Sequence, residues 1–180
     1  MVIDLKATGV VRRIDDLGRI VIPKEMRRTL RIREGEALEI FVDNDFVALK
    51  KYSPMTDLED FAKVLVDSVY GTISSNILVT DRDKFIAVAG QLKKKYLNKN
   101  ISPYLETLID KRSIKIEKDA ETLELSLNEF EKGSYTIHPI IMNGDAIGLV
   151  LIFCLDKTVS ETEVKISQII SQILGKHIEE

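Results

Sequence analysis

A chain of 180 residues, 44% hydrophobic and 31% charged, is long enough for one ordinary domain or two small ones, and its composition excludes a disordered or fibrous protein. No apolar run approaches the ~20 residues that span a bilayer, and "MVIDLKATGVVRRIDD" lacks the order of a signal peptide, so the cytoplasm is the expected address. The net charge of −3 conceals an asymmetry: residues 6–33 carry nine Lys/Arg against three acids, whereas everything from Ser53 onward has fifteen bases and twenty acids.

In chain order, residues 6–11 and 19–22 are strand-like. Pro23 suits the first turn of a short helix that holds Met26 and Leu30 at i, i+4, and Gly35 is the expected stop. "EALEIFVDNDFVALKKY" reads as a hairpin turning at Asp43-Asn44-Asp45. A boundary follows near 52–55, dividing the chain into a domain over 1–53 and another over 56–180. The first has too little mass for a core of its own, and without disulfide or metal it is expected to be an obligate dimer sharing one core.

The second domain opens on a helix, with Thr56 and Glu59 as a capping box and an apolar stripe from Leu58 to Ile73. "NILVTDRDKFIAVAG" gives two strands around Asp81-Arg82-Asp83-Lys84, and Ser102-Pro103 opens a helix with Leu105, Leu108 and Ile109 inward. "SYTIHPIIMNGDAIGLVLIFCLD" is a hairpin turning at Asn143-Gly144-Asp145. The last helix has Ser160 and Glu163 as its capping box and an apolar stripe of Ile166, Ile169, Ile170, Ile173 and Leu174. A sheet flanked by helices follows, in an α+β chain. Both end helices of this domain are more apolar than one sheet face requires, which points to a partner's helices.

Chemistry-bearing motifs are scarce. Phosphate-binding glycine loops and a G-x-S-x-G elbow are absent, and His138 and His177 share no metal-ligand spacing and read as structural. Cys154, in "GLVLIFCLD", is the one cysteine; it excludes an internal disulfide and reads as a small buried hydrophobe. No catalytic set, metal or cofactor is therefore expected, and a binding protein is favoured over an enzyme.

"RRIDDLGRIVIPKEMRRTL" does carry a chemistry. Ile20 and Ile22 in the strand, with Met26 and Leu30 on the helix, are candidates for a core. Arg19 stands at the strand's mouth, and Arg27, Arg28 and Arg31 project from other sides of the helix. Arginine outnumbers lysine seven to two over residues 6–33, and its planar fork matches phosphate oxygens and the guanine O6/N7 edge. No aromatic residue in 1–40 is available to stack on single strands, so duplex DNA is the better match.

The run from Ala7 to Tyr52 resembles the AbrB-type swapped-hairpin DNA-binding domain, through T-G-V-V-R, D-x-L-G-R-I-V-I-P-x-E-M-R-R-T-L and the following L-E-I-F-V-D hairpin. The resemblance implies two chains interleaved in a dimeric β-barrel. It also implies DNA-contacting arginines at Arg12, Arg19, Arg27 and Arg28, with Arg13 the neighbouring basic position and Lys24 and Arg31 as lesser contacts. Asp15 is expected to hold an arginine in place; Gly18 and Pro23 punctuate the backbone, and Leu17, Ile20, Ile22, Met26 and Leu30 read as core. By element order residues 56–180 resemble a GAF domain, and the whole arrangement resembles transcriptional regulators of spore-forming bacteria. That implies a homotetramer through the second domain's helices, and equally a sensory role with a pocket between the sheet and residues 90–135, whose small-molecule effector the sequence does not name. The alternative is an antitoxin-type DNA-binding protein, since the same domain serves small antitoxins.

Overall fold

A computed structural model describes residues 8–43, 46–52 and 58–179, the side chains of 178 and 179 excepted. The chain divides between Tyr52 and Ser53 into two units.

The first unit contains α1 (Lys24–Thr29), β1 (Leu38–Asp43) and β2 (Phe46–Lys51). The two strands pair antiparallel from Leu38 opposite Lys51 to Asp43 opposite Phe46. This register puts the connection where the sequence predicts a turn, although Asn44 and Asp45 lie outside the described residues. Pro23 immediately precedes α1, with φ −55. The helix ends earlier than Gly35 suggests. Leu30 is its C-cap, Arg31 adopts φ +53, and the N–H groups of Arg31 and Ile32 donate to the carbonyls of Arg28 and Arg27 at 3.2 and 2.7 Å. This is a Schellman closure with arginine in the left-handed position that glycine normally fills.

A single chain does not complete the strands and the shared core expected of this unit. Of the expected strand over 6–11, residues 6 and 7 lie outside the described residues; residues 8–11 and 19–22 join no strand ladder, because a strand needs a partner edge and no other strand among the described residues runs beside them. The proposed core residues are uncovered: Leu17, Ile20 and Leu30 are 71%, 53% and 54% exposed, and Ile22 and Met26 are only half-buried. No described residue of this unit is buried. A cavity of about 300 Å³, lined by Val10, Arg12, Ile20, Met26, Leu30 and Val47 among others, opens where a core would lie.

The second unit contains α2 (Glu59–Ile73), β3 (Asn76–Thr80), β4 (Phe85–Ala89), α3 (Lys93–Tyr96), α4 (Pro103–Asp110), β5 (Lys115–Ser126), β6 (Glu129–Met142), β7 (Asp145–Cys154) and α5 (Glu161–Glu179). Its strands form one antiparallel sheet in the order β4-β3-β7-β6-β5. Alternate residues serve two cores. Leu78, Leu149, Leu151 and Phe153 face α3 and α4, whereas Ile77, Val79, Val150 and Ile152 face α2 and α5. Burial on both faces explains why β3 and β7 are continuous apolar runs instead of alternating ones.

Local signals position these elements. Asn143 and Gly144 take φ +48 and +85, as the tight turn between β6 and β7 requires. Gly148 is needed for close approach, since a Cβ there would sit 1.9 Å from the Thr80 carbonyl oxygen. Ser102 caps α4 by accepting from the Leu105 N–H at 3.3 Å. At the start of α5, Glu163 Oε2 accepts from the Ser160 N–H at 3.0 Å as the expected capping box requires, while Ser160 Oγ accepts from the Thr162 N–H at 3.2 Å. The one expected for α2 differs. Thr56 lies outside the described residues, and Glu59 opens the helix and pairs with Lys63 at 2.9 Å. The space between the sheet and residues 90–135, where a pocket was expected, is filled by Leu92, Tyr96, Ile101, Leu105, Leu125 and Tyr135.

Candidate nucleic-acid interface

The first unit's basic side chains stand on short, individually specified pieces of backbone. Arg12 and Arg13 lie on the exposed segment before a tight loop, and Arg12 makes a long hydrogen bond of 3.4 Å to the Val11 carbonyl. Asp15 closes the loop that presents Arg19. Its Oδ1 accepts from the N–H groups of Leu17 and Arg19 at 3.0 and 2.7 Å, and its Oδ2 accepts from Arg19 Nε at 2.7 Å. The Arg19 N–H and then its guanidinium hold the Asp15 carboxyl below its ordinary range. The structure thus shows the contact in which Asp15 holds an arginine.

On α1, Lys24 and Arg28 are exposed. Arg27 is half-buried, and its Nε is shielded from solvent without a hydrogen-bond partner among the described residues. A guanidinium nitrogen so placed lacks an acceptor that a ligand or a second chain can supply. Arg31 leaves the helix in the left-handed conformation, and its carbonyl accepts from Lys51 Nζ at 3.0 Å, tying the end of α1 to β2. Glu36 accepts from the Arg33 N–H at 2.8 Å and pairs with Lys51 at 3.4 Å. Sequence reasoning missed this second anchor. The signal was there in Glu36, an acid three residues after Arg33 and opposite a lysine-ended strand.

In the second unit the titratable groups serve structure. His138 is buried with Nδ1 3.1 Å from Ser167 Oγ of α5, and burial lowers its pKa. His177 stacks on Phe61 with ring centres 4.4 Å apart. Cys154 is buried, its thiol pKa raised by burial. In the lysine run 93–95, Lys93 pairs with Asp67 at 3.2 Å and Lys95 with Glu131 at 2.6 Å, and Lys99 beyond it pairs with Glu129 at 2.5 Å. Among the described residues no cluster of His, Cys, Asp or Glu is placed to hold a metal, and no helix is long and apolar enough to cross a membrane.

Comparison with known proteins bears on both units. The family profile described as stage V sporulation protein T C-terminal, transcription factor, matches residues 57–179. The profile of the MazE bacterial antitoxin matches residues 11–57. Over 179 residues the chain is 52% identical to stage V sporulation protein T of Bacillus subtilis (strain 168), covering 98% of this chain and 100% of that protein. It is 60% identical over 50 residues to the transition state regulatory protein AbrB of the same organism, spanning 28% of this chain and 52% of AbrB. The GAF domain from Acinetobacter phosphoenolpyruvate-protein phosphotransferase superposes with a TM-score of 0.56 at 14% identity, over 72% of this chain and 84% of that one.

The first unit is of AbrB type and the second has the GAF fold, the profile match over residues 57–179 makes the chain a transcription regulator, and the α+β arrangement read from the sequence is the one observed. The chain belongs to the stage V sporulation protein T family of transcription factors.

Proposed function

We propose that this protein regulates sporulation-stage genes by binding duplex DNA through Arg12, Arg13, Arg19, Arg27 and Arg28, with Lys24 and Arg31 as lesser contacts. The carrying observation is the pairing, in one small unit, of arginines on exposed or half-buried positions with apolar side chains left exposed among the described residues. A second copy of the unit fits that apolar surface and would supply partner edges for residues 8–11 and 19–22. The binding unit is then a dimer, and the acidic second domain over 56–180 stays off the DNA.

That domain reads as the assembly module. Leu65, Val69, Ile166, Ile169, Ile170 and Ile173 line an apolar groove of about 290 Å³ between α2 and α5, and Ile169 and Ile173 are 53% and 39% exposed. Pairing of such grooves joins dimers into a tetramer. The opposite face is packed with its own side chains, which favours assembly over sensing of a small-molecule effector. The antitoxin alternative draws on the MazE match over residues 11–57. Against it, residues 58–179 build a folded sheet-and-helix unit and not a short toxin-binding tail.

The test is titration of full-length protein with duplex DNA at rising salt. Six or more phosphate contacts predict a loss of about a thousandfold in affinity between about 50 and 200 mM salt. A flat profile refutes the DNA-binding reading, and co-purification of a small toxin supports the alternative.

A further inference from the structure

The following rests on the DNA-binding reading and concerns how one arginine is held. The loop from Asp15 to Arg19 is closed on itself: the Asp15 N–H donates to the Arg19 carbonyl and the Gly18 N–H to the Asp15 carbonyl, both at 3.0 Å. Gly18 takes φ +76 with open space around it, so glycine is required there by the backbone alone. Within this loop Asp15 Oδ1 binds two N–H groups, and Oδ2 takes Arg19 Nε at 2.7 Å.

A guanidinium can offer acceptors its Nε side or its Nη1/Nη2 end. With Nε engaged by Asp15, Arg19 keeps its end for a ligand, on a side chain that is 72% exposed. Two coplanar N–H donors on a fixed fork match the O6 and N7 of guanine in the major groove. A phosphate contact tolerates a mobile fork because it fixes position and carries no sequence information. A bidentate base contact gains from a fork held before binding, since less side-chain freedom is lost, and the carboxylate supplies that hold. Arg12, by contrast, has among the described residues a long contact of 3.4 Å to its neighbour's carbonyl.

We propose that Arg19 is the base-reading arginine of this surface, taking a guanine through O6 and N7, and that Asp15 is the positioning residue that sets this preference.

The test uses the full chain and a duplex library with a randomised centre, followed by the selected duplex remade with 7-deazaguanine at each selected guanine. That base lacks N7 but keeps Watson–Crick pairing. Wild-type protein is expected to select a fixed guanine and to bind one of the 7-deaza duplexes about tenfold more weakly. Asp15→Asn is the discriminating variant. Its amide oxygen can still accept from the Leu17 and Arg19 N–H groups, so the loop stands, while its NH₂ meets Arg19 Nε donor to donor.

Discrimination by Asp15→Asn should fall to within about twofold, and Arg19→Lys should do the same because an ammonium cannot grip both acceptors in one plane. Arg13→Ala should weaken binding to both duplexes alike and keep the ratio. A selection without a fixed guanine, or full discrimination by either Asp15→Asn or Arg19→Lys, overturns the proposal while leaving DNA binding in place. If Asp15→Asn fails to fold, Arg19→Lys decides alone. Wild-type protein that binds no duplex refutes the DNA-binding reading itself, and this proposal with it.

Discussion

Glu163→Gln should destabilise the second unit through charge, and should do so in a defined pH window. Glu163 is buried at the start of α5, where it takes Lys157 Nζ at 2.6 Å, the Ser160 N–H at 3.0 Å and Ser75 Oγ at 3.2 Å. Lys157 also donates to the Ile73 carbonyl at the end of α2, so one carboxylate joins the segment after β7 to α2 and α5. Burial pushes this carboxyl up, but the hydrogen bonds from Lys157 and Ser160 outweigh it and hold it at about 2, against 4.5 for a free glutamate. A carboxyl depressed in the folded state stabilises the fold above its unfolded pKa and loses that contribution as pH falls toward the folded one. The gap converts to about 3 kcal/mol at neutral pH and about 2 kcal/mol near pH 3.5. Lys157 is half exposed and regains water in the variant, which keeps the cost at the lower end for a broken buried pair. Urea unfolding, followed by the tyrosines of the second unit at pH 7 and pH 3.5, measures it; guanidinium would screen the pair. A wild-type-to-variant difference that stays constant with pH would show that shape, not charge, holds this junction.

Arg31→Gly replaces a left-handed arginine with the residue that conformation favours. The first unit should gain up to about 1 kcal/mol in thermal unfolding, while DNA affinity falls and the salt slope drops by about 1 or less. Arg27→Ala or Arg28→Ala should each weaken duplex binding with the dimer intact by sedimentation; loss of the dimer would reassign them to scaffold. Ile169→Asp places a carboxylate on a half-exposed position of the α2–α5 groove and, under the proposed assembly, should convert tetramer to dimer in light scattering, with helix content unchanged. Gly148→Ala should give little folded protein, because its methyl meets the Thr80 backbone of the adjacent strand.

Much of the second unit was legible because its punctuation is chemical and local. Asn143-Gly144 demanded a tight turn, Ser102-Pro103 and Ser160 with Glu163 demanded helix starts, and each acts where the sequence places it. The strand β5 was not legible. "KIEKDAETLELS" has charges on both faces, since it is an edge strand exposed over most of its length, with a register shift between Glu117 and Glu121. Its pairing is dictated by β6, which carries the apolar side chains. Lys93–Tyr96 is too short for a period to show. In the first unit Asp15 and Arg19 were legible as neighbours in a loop, but which edge of the guanidinium the carboxylate takes is set by loop closure through Gly18 and has no trace in residue spacing.

The strands and core expected of the first unit are incomplete in one chain for a different reason, and it bears on function. Periodicity in "GRIVIP" encodes burial but does not name the chain that does the burying. Ile20 and Leu30 are as apolar as any residue of the second unit's core, yet they stand uncovered where Ile77 and Leu151 are sealed. Under the proposed function these apolar side chains find their cover in a second copy, so DNA binding and self-association are one linked equilibrium. Linkage is reciprocal: duplex DNA must tighten the dimer by the factor by which dimerisation tightens the DNA complex. The α2–α5 groove then matters for DNA as well, because tethering two dimers raises the effective concentration of one binding unit once the other is engaged. Ile169→Asp, far in sequence from every arginine of the surface, should therefore lower affinity for a duplex carrying two sites more than for a duplex carrying one.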